Sequence, residues 1–586
     1  MIAVIISWIA ISIVFLSFGD FLILLYNKLC RLNEQYGLTD TLLLGMCFML
    51  IPLSLTSFWL PSNQYILFSF LILSVIYWIC RQKRFEMMLK NMKAGIKKYS
   101  LWQLLAFIVP IIGFMVVILW QVGIFDSLYY HHQNIRWNEE YATIPGLGNI
   151  EYRFGFNSNY MLLAPIFGLR FLFGEAVYGV QVLILLYILC WIFKEIIQSG
   201  YEVKRVLLLV VFTGYIFAFA YSFAATSTDA IPNVVAFYLI ARLLLYPAEL
   251  KNKLLLCILL PISLVTFKLS IAPLCLISLY SLILLIRGKG WRSISFLLST
   301  GSIIVALWMI RNVILTGYLV FPFYEIDIFN VEWKIPKEIA MQEREFIYTC
   351  GVNVFNSMIW FLKNWDFDIS NLPNWLFYNA YISSFILAPL ITVYCLIKKK
   401  FLNRITYFLF LVLVAILLFW VTGGPDPRFA GGILFALMYY VVFMLFSTRE
   451  EKRYPVIGKT ILIMFTAIMI YWPVNRTIRF SNIYNLNNSG ISARPVYSAI
   501  YKPFSYKEML KSWGAFVNEF YPYRFDENLT FYVSNSPEIP NGRFVCFDAP
   551  FPCIILQEDD PMKYQNIKDI EARGATFQEG FRPKRK

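Results

Sequence analysis

The sequence is short of charged residues. Asp, Glu, Lys and Arg make up only 15% of its 586 positions, whereas soluble domains average about 25%. This shortage excludes an ordinary soluble protein, because the hydrophobic residues, 59% of the total, occur in long uninterrupted runs. The run "LWQLLAFIVPIIGFMVVILW" at 101–120 has the length of a helix that crosses the hydrocarbon core of a bilayer. The sequence therefore predicts an all-α polytopic membrane protein.

Histidine is almost absent, and so are the signatures of common soluble enzymes. The two histidines, His131 and His132, are neighbours, and no second ligand pair at metal-binding spacing accompanies them, which argues against a zinc site. The sequence contains no Walker A loop, no GxGxxG after a strand, no GxSxG and no HExxH. Without a nucleotide-binding loop, an ATP-driven pump is not indicated.

The chain carries a formal net charge of +15, but it lacks zinc-finger and RNA-recognition signatures. In membrane proteins Lys and Arg concentrate in cytoplasmic loops, and this alone explains the excess. We therefore expect membrane lipids, and no nucleic acid, as partners.

Hydrophobic runs predict about fourteen transmembrane helices. The first run lacks a basic n-region and a small-residue cleavage site, so we interpret it as a retained span and not as a signal peptide. The segment 158–173 is too short and too polar at its start to cross, and we expect it to lie at the membrane surface. The predicted spans are 2–26, 40–60, 65–80, 100–121, 176–193, 205–224, 230–246, 253–267, 271–287, 293–310, 374–397, 404–421, 429–447 and 457–473.

The distribution of Lys and Arg predicts the orientation of these spans. The loop 81–98 carries seven basic residues and one acid. In a chain of fourteen spans, the basic connections 251–253, 287–292, 398–404 and 447–453 fall on the same side as this loop, the cytoplasm. Both termini and the long polar segments then lie on the outer side.

This topology divides the chain into three parts. Residues 1–99 form additional N-terminal helices and the basic cytoplasmic loop. Residues 100–473 form the main transmembrane domain, with outer loops at 122–175 and 311–373. Residues 474–586 are expected to form a small α/β or β-rich extracytoplasmic domain, because patches such as "NLTFYVS" have the composition of strands.

Cys546 and Cys553, in "CFDAPFPC", lie in the predicted outer domain. An oxidising compartment permits a disulfide there, and the short spacing with two prolines suits a tight loop. We predict a structural disulfide between them. A metal site is the less favoured alternative, because no histidine lies nearby.

The first outer loop begins with the concentrated polar stretch "FDSLYYHHQNIRWNEEY" at 125–141. Asp126 follows the end of a span by a few residues, where limited access of water raises the pKa of a carboxyl group. It is therefore a candidate general base or metal ligand. His132 and Glu140 are candidates for substrate binding, and His132, Arg136 and Glu140 are spaced for ion pairing. An ordinary solvated interfacial helix remains the alternative.

If this stretch is helical, one stripe carries several of its polar and aromatic side chains. The members of the stripe are Asp126, Tyr130, Gln133, Trp137 and Glu140.

Two further segments offer polar groups to the outer side. "GLGNIEYRFGFNSNY" at 146–160 carries Arg153 among aromatic and Asn residues, a composition that suits sugar rings and equally a plain loop. Asp229, in "AATSTDAIPN", is either a second acid that faces Asp126 or the N-cap of the following helix.

Basic residues near the predicted outer surface suit phosphate. Lys268, in "TFKLSIAP", lies in a hydrophobic stretch, where ionisable residues are usually functional. Its ammonium group either binds phosphate as a point charge or extends to the membrane interface, and both alternatives are open. Arg311 lies at the end of a span, and its planar guanidinium group can donate two parallel hydrogen bonds to a phosphate. In "VTGGPDPRFAGG", Asp426 and Arg428 form either a rigid ligand-binding turn or an internal salt bridge.

Several blocks of this sequence together resemble a family of bacterial polytopic proteins from surface-polysaccharide loci, over about 100 to 560. That family in turn resembles the GT-C glycosyltransferases, which include the lipid-linked aminoarabinose transferases and the protein mannosyltransferases. The blocks are "DSLYYHHQNIRWNEEYATIPGLGNIEYRFGFNSNYMLLAPIFG", "STDAIP", "TFKLSIAP", "RNVILTGYLVFPF", "PDPRFAGG" and "CFDAPFPC".

The resemblance implies a GT-C-like fold in the bacterial inner membrane, with the active site on the periplasmic side. It implies a polyprenyl-phosphate-linked sugar as donor and a hydroxyl of a glycan, lipid or protein as acceptor. Asp126 matches the acid that follows a span in the first loop, and Asp229 matches a second acid; these are the predicted catalytic residues. Lys268, Arg311 and Arg428 are the candidates to hold the donor phosphate.

The remaining candidates are expected to bind substrate. His132, Glu140 and Asp229 would orient substrate or hold an optional divalent cation, Mg or Mn, and Arg153 and Asp426 complete the predicted site. Two departures from GT-C matter. Ser127 follows Asp126 where GT-C loops often carry adjacent acids, and three spans precede the span at 100–121.

Two other functions stay open. A transporter, or flippase, of lipid-linked oligosaccharides would need charged residues deep in the spans along a path across the membrane. A polysaccharide polymerase or ligase would share the compartment and the donor type, and differs only in joining longer glycans. A non-catalytic assembly scaffold is the third alternative.

Overall fold

The computed structural model describes residues 1–120, 125–364, 372–398, 403–446, 453–487, 495–505, 508, 519–535, 546–556 and 564–584. The predicted basic connections at 398–404 and 447–453 lie mostly outside these ranges. Parts of the predicted outer loops and of the predicted C-terminal domain also lie outside them.

The described residues are mostly helical. A π-helical turn covers Ser127–His131, and 3-10 turns include Tyr152–Phe156, Leu269–Leu274 and Pro427–Ala430. The α-helices are α1 (Ile2–Cys30), α2 (Leu38–Thr56), α3 (Gln64–Cys80), α4 (Gln82–Ile96), α5 (Leu101–Leu119), α6 (His132–Glu140), α7 (Asn159–Leu163), α8 (Arg170–Phe173), α9 (Val180–Gln198), α10 (Val203–Ala218), α11 (Ala220–Ala224), α12 (Ala230–Leu245), α13 (Glu249–Asn252), α14 (Leu254–Val265), α15 (Cys275–Arg287), α16 (Trp291–Thr316), α17 (Lys337–Lys363), α18 (Leu372–Ile397), α19 (Arg404–Gly423), α20 (Gly431–Phe446) and α21 (Pro455–Asn487).

Ten helical stretches of the described residues are long and apolar enough to cross a membrane, or eleven if the bent pair of α3 and α4 forms one span. The chain is thus a helical, membrane-embedded protein. Two of the fourteen predicted spans, 230–246 and 253–267, correspond to the shorter helices α12 and α14, of 16 and 12 residues. A helix of 12 residues is about 18 Å long, which is less than the hydrocarbon core.

Glycine allows α1 and α2 to cross closely. A Cβ atom on Gly19 would lie 1.8 Å from the carbonyl oxygen of Thr41, and one on Gly45 would lie 1.7 Å from that of Phe15. Neither distance is possible for a side chain, so both positions require glycine for the backbones to approach. These helices belong to a large apolar core that α9, α12 and α20 also fill.

The segment 158–173 does not form the predicted surface helix. It breaks into α7, a 3-10 turn at Pro165–Phe167 and α8, and most of it is buried. The hydroxyl of Ser7 in α1 donates a hydrogen bond to the carbonyl oxygen of Phe167 at 2.8 Å. The prediction of a surface helix was wrong, because Pro165 and Gly168 interrupt it and the resulting compact segment packs into the bundle. As predicted, the segment is not among the stretches long enough to cross a membrane.

The C-terminal region contains a small set of strands, as its composition predicts. β1 (Glu519–Arg524) pairs antiparallel with β2 (Thr530–Asn535), and β2 pairs in parallel with β3 (Cys553–Ile554). β4 (Ile570–Ala572) pairs antiparallel with β5 (Phe581–Pro583). Cys546 and Cys553 form a disulfide.

These strands share a hydrophobic core with the first outer loop. Trp137 and Ile150 of the loop belong to one buried cluster with Phe531 and Phe581 of the strands. The backbone N–H of Phe581 also donates to the carbonyl oxygen of Pro145 at 3.0 Å. The loop and the C-terminal region therefore form one folded cap on the helix bundle, and not two separate units.

Candidate functional site

A cavity of about 1120 Å³ lies where the first outer loop meets α17 and the turn between α19 and α20. Its walls combine charged side chains with aromatic ones such as Trp308, Phe346 and Trp420. Five of the predicted site residues line this one cavity. They are Asp126, Arg153, Lys268, Asp426 and Arg428.

The end of α5 is anchored close to Asp126. The ring of Trp120, which follows α5, stacks on Phe480 with 4.7 Å between ring centroids. Its indole N–H donates a hydrogen bond to Thr477 Oγ1 at 2.7 Å. Asp126 comes directly before the π-helical turn, whose first residue, Ser127, is hydrogen-bonded through Oγ to Thr226.

The face that points into the cavity differs in part from the predicted stripe. Asp126, Tyr130 and Asn134 line the cavity, whereas Gln133 faces the C-terminal region, where its Oε1 accepts from the backbone N–H of Cys553 at 2.9 Å. A π-helical turn has a longer hydrogen-bonding step than an α-helix. The turn therefore changes which residues share a face, and this change was not visible in the sequence.

Arg428 joins two of the predicted acids. Its Nη1 donates to Asp126 Oδ2 at 2.6 Å, and its Nε lies 2.9 Å from Asp426 Oδ2. The turn thus contains the internal salt bridge that was one of the two alternatives, and it also contributes charged groups to the cavity. Ligand binding by the turn stays a prediction.

Close packing holds this turn in place. The side-chain amide of Asn233 in α12 donates to the carbonyl oxygen of Arg428 at 3.0 Å and accepts from the backbone N–H of Gly432 at 2.9 Å. The indole N–H of Trp420 donates to the carbonyl oxygen of Asp426 at 2.7 Å. Gly424 adopts a φ of +140°, a conformation that favours glycine.

Lys268 and Asp229 form a second ion pair beside the turn. Lys268 Nζ lies 2.7 Å from Asp229 Oδ1 and 4.2 Å from the ring centroid of Phe429. Asp229 stands at the N-cap position of α12, but its side chain makes no capping hydrogen bond. The capping alternative is therefore wrong for the side chain. Asp229 reaches the cavity through Lys268, since it does not itself line the cavity.

A third charged pair, Arg153 and Glu343, lies in the cavity wall. Arg153 Nε lies 3.4 Å from Glu343 Oε1, and Glu343 is only 1% exposed. The guanidinium lies over the rings of Tyr129 and Phe346, at 4.9 and 5.2 Å from their centroids. Within the described part of the chain, Arg153 Nη2 and Glu343 Oε2 have no hydrogen-bond partner. Both atoms are also buried, so solvent does not supply a partner.

Glu343 was missed in the sequence. It lies in α17, within the run "MQEREF", whose alternating charges look like a solvated helix face. The signal that could have identified it is the sequence of α17 itself: "KEIA" at its start predicts one apolar face, and Glu343 falls on that face with Ile339 and Ala340, which are buried.

The charged pairs shift pKa values in opposite directions. Burial acts to raise the pKa of Asp126, but the positive charges of Arg428, Arg153 and Lys268 outweigh it and lower the pKa to about 2. The predicted rise is therefore wrong, and Asp126 stays ionised. For Glu343, burial outweighs the attraction of Arg153 and raises the pKa to about 7. Burial also raises the pKa of Asp426.

Arg311 does not join the other predicted phosphate ligands. It is 2% exposed and does not line the cavity. Its Nη2 donates to Asn138 Oδ1 at 2.9 Å, and its Nε contacts Thr143 Oγ1 at 3.4 Å. The first outer loop folds over the end of α16 and covers the guanidinium, and a single sequence cannot reveal this long-range contact.

His132 and Glu140 also lie outside the cavity. The ring of His132 packs between Tyr178 and Phe547, at 5.2 and 4.4 Å between centroids, and burial lowers its pKa to about 4. Glu140 forms the predicted i,i+4 ion pair with Arg136 at 3.1 Å, and its side chain is 44% exposed. Both were predicted to bind substrate, but both face away from the cavity.

The acids of the site are held by cations and not by one another. Within the described ranges, no three His, Cys, Asp or Glu side chains come together in a group that could hold a metal ion. The residues therefore do not fit the predicted optional Mg or Mn. What the cavity offers is positive charge beside carboxylates, with aromatic walls, which suits a ligand that has anionic, polar and apolar parts.

Comparison with protein families places most of the chain in a family. The family model described as "Domain of unknown function (DUF8201)" matches residues 1–437. Neither the curated proteins nor the solved structures contain a match to this chain.

Proposed function

The chain belongs to the DUF8201 family, and for it we propose the function of a membrane glycosyltransferase. It transfers a sugar from a polyprenyl-phosphate donor to a hydroxyl of a glycan, lipid or protein, as the resemblance to GT-C enzymes implies. The observation that carries the proposal is that Asp126, Lys268 and Arg428, which are far apart in sequence, line one cavity.

The chemistry of the cavity fits the parts of such a donor. Arg428 and Lys268 supply the positive charge that a phosphate needs. Arg153 and Glu343 add a guanidinium and a carboxyl group to the cavity wall, and both groups can hydrogen-bond the hydroxyls of a sugar. Aromatic residues between these groups suit the apolar faces of a sugar ring and an isoprenoid chain.

The proposed reaction exchanges one bond at the anomeric carbon. The acceptor oxygen bonds to this carbon while the bond from the carbon to the phosphate oxygen breaks, and the polyprenyl phosphate leaves with the electron pair. The acceptor proton passes to Asp126. Arg428 and Lys268 stabilise the negative charge that develops on the leaving phosphate.

In this proposal, donor binding also makes the Asp126 carboxylate a stronger base. In the free protein Arg428 contacts Asp126 at 2.6 Å and helps to lower the pKa of its carboxyl to about 2, which makes Asp126 a weak base. A phosphate that draws Arg428 toward itself weakens this contact. Asp126 then becomes more basic only when the donor is in place, which limits unproductive hydrolysis.

The proposed topology has fourteen passes and an outer active site. Counting the bent or shorter helices α3, α10, α12 and α14 with the ten longer stretches gives fourteen. The cavity draws its walls from the C-terminal ends of α14, α16 and α19. Helix α4, rich in Lys and Arg, follows the C-terminal end of α3, which runs the opposite way in this topology. By the positive-inside rule this supports a periplasmic cavity in the inner membrane of a bacterium.

Replacing the proposed base tests the function. Asp126→Asn keeps the size of the side chain and removes the proton acceptor, so it should lower glycan modification at least about 100-fold in a deletion strain. Glu140→Gln is the matched control, because Glu140 lies in the following helix, α6, and outside the cavity. The readout is the surface glycan that disappears on deletion, measured together with the amount of folded protein in the membrane.

The alternatives give different results in the same strains. A folded Asp126→Asn protein that restores the glycan fully would remove Asp126 from the mechanism and the proposal with it. Accumulation of a complete lipid-linked oligosaccharide on the cytoplasmic side would indicate a transporter. Glycans that keep their composition but lose length would indicate a polymerase or ligase.

A further inference from the structure

Helix α4, residues Gln82–Ile96, is attached to the bundle in an unusual way. It follows α3 after a single residue and turns from it by 91°. None of its residues is buried. A helix of 15 residues has little stability of its own in water, so its exposed conformation needs an external surface to support it.

The two sides of α4 differ sharply. Apolar side chains recur at steps of three and four on one side, and among them Leu89, Met92 and Ile96 are 37%, 42% and 51% exposed. This spacing forms one continuous apolar stripe along the helix. The stripe consists of Phe85, Met88, Leu89, Met92 and Ile96.

The opposite side is basic. Lys83, Lys90 and Lys93 project from it, and Glu86 is its one acid. Arg84, near the start of the helix, is bonded to Asp20 of α1 through both Nε and Nη2 at 3.2 Å. Tyr77 of α3 donates to the same carboxylate at 2.7 Å. These contacts fix the start of α4 against the bundle while leaving the three lysines free to meet a partner.

We propose that α4 is a binding surface for anionic phospholipids and lies in the plane of the membrane. The right angle at the end of an apolar helix directs α4 along the bilayer surface. Its apolar stripe then enters the boundary between headgroups and acyl chains, and its lysines contact acidic headgroups. An acidic soluble protein would explain the lysines but not the adjoining apolar stripe.

Hydrogen exchange of the full-length protein in lipid nanodiscs tests this surface. Amides 82–96 should exchange much more slowly in discs that contain phosphatidylglycerol than in discs of phosphatidylcholine alone. The triple variant Lys83→Gln, Lys90→Gln, Lys93→Gln should remove this difference. Three lysines near an anionic surface change a docking equilibrium by on the order of 100-fold.

Two further variants separate charge from apolar insertion. The charge-matched control Lys337→Gln, Lys363→Gln, Lys502→Gln changes residues outside α4 and should keep the lipid difference. Leu89→Gln with Met92→Gln should make α4 exchange quickly in both kinds of disc, because the apolar stripe is interrupted.

Each contrary result overturns the proposal. Equally slow exchange in both lipids, unaffected by the lysine variant, would show apolar insertion without recognition of anionic headgroups. Equally fast exchange in both lipids would show that α4 does not dock on the membrane. Neither result depends on whether the cavity is a glycosyltransferase site.

Discussion

Asp126 and Glu343 line the same cavity, yet their surroundings give the two carboxyl groups different charges. Asp126 is surrounded by several positive groups, and its pKa falls to about 2. Glu343 has Arg153 as its ion-pair partner and is buried more completely, so its pKa rises to about 7. Near neutral pH Asp126 is therefore ionised, whereas Glu343 keeps its proton to a much higher pH than an ordinary glutamate.

The raised pKa of Glu343 predicts that stability depends on pH. The folded protein binds the Glu343 proton more tightly than the unfolded chain, so it should lose stability as pH rises from 4.5, the ordinary value, to about 7. Such a rise in pKa corresponds to a loss of folding stability on the order of 3 kcal/mol. Glu343→Gln should remove this loss, measured as thermal unfolding in detergent across that range.

The matched control for this measurement is Glu345→Gln, which changes an exposed acid two residues away on the same helix. It should leave the pH profile of the parent protein intact. A Glu343→Gln protein that keeps the full decline in unfolding temperature would show that another group titrates in this window.

The backbone geometry of two helical segments determines which side chains enter the site. The π-helical turn Ser127–His131 selects the face that enters the cavity. The start of α20 lies against α12 so closely that a Cβ atom on Gly432 would lie 1.9 Å from the carbonyl oxygen of Asn233. This contact fixes the turn that carries Asp426 and Arg428.

Gly432→Ala should therefore destabilise the protein and disturb the cavity. The added methyl group forces α12 and α20 apart, at a cost of about 1–3 kcal/mol, and moves Arg428 relative to Asp126. Gly95→Ala is the matched control, because a Cβ atom there meets nothing within 4 Å and Gly95 does not line the cavity. Thermal unfolding and glycan complementation should both fall in the first variant and stay near the parent values in the second.

If Gly432→Ala unfolds at the same temperature as the parent protein, α12 and α20 can separate without loss of stability. The close approach of these helices would then not hold the turn in place.

At the scale of the whole molecule, the C-terminal region is fastened to the first outer loop by buried charge. Arg170 forms two hydrogen bonds to Asp548, at 2.8 and 3.1 Å, and a third to Glu139 at 2.9 Å. Asp548 lies two residues after Cys546, inside the disulfide-closed loop. The cap is thus held by contacts between positions almost 400 residues apart.

Arg170→Gln should loosen this cap. It leaves the buried Asp548 without its main partner, a change that costs about 3–5 kcal/mol. Arg582→Gln is the control, because its partners Glu332 and Glu571 are largely open to solvent, and such surface pairs contribute little to stability. Limited proteolysis of the membrane-embedded protein should cleave the C-terminal region faster in the first variant than in the second. Equal cleavage rates would mean that the hydrophobic cluster alone holds the cap.

The sequence determined the class of the protein and many of its local features. Long apolar runs had to become helices in a membrane, because an unpaired backbone is too costly in lipid. The spacing of Cys546 and Cys553 permitted one short loop, and the disulfide has formed. Asp126, Lys268 and Arg428 were recognisable because charged groups next to apolar spans are rare.

Only the tertiary structure decided which of these groups meet. Arg311 was a candidate phosphate ligand, but the first loop covers it. Glu343 was not predicted at all, and α17 places it against Arg153. Such partners come from segments that are distant in the chain. Their contacts depend on how the helices pack and where the backbone departs from regular geometry, and a local pattern of residues does not encode either.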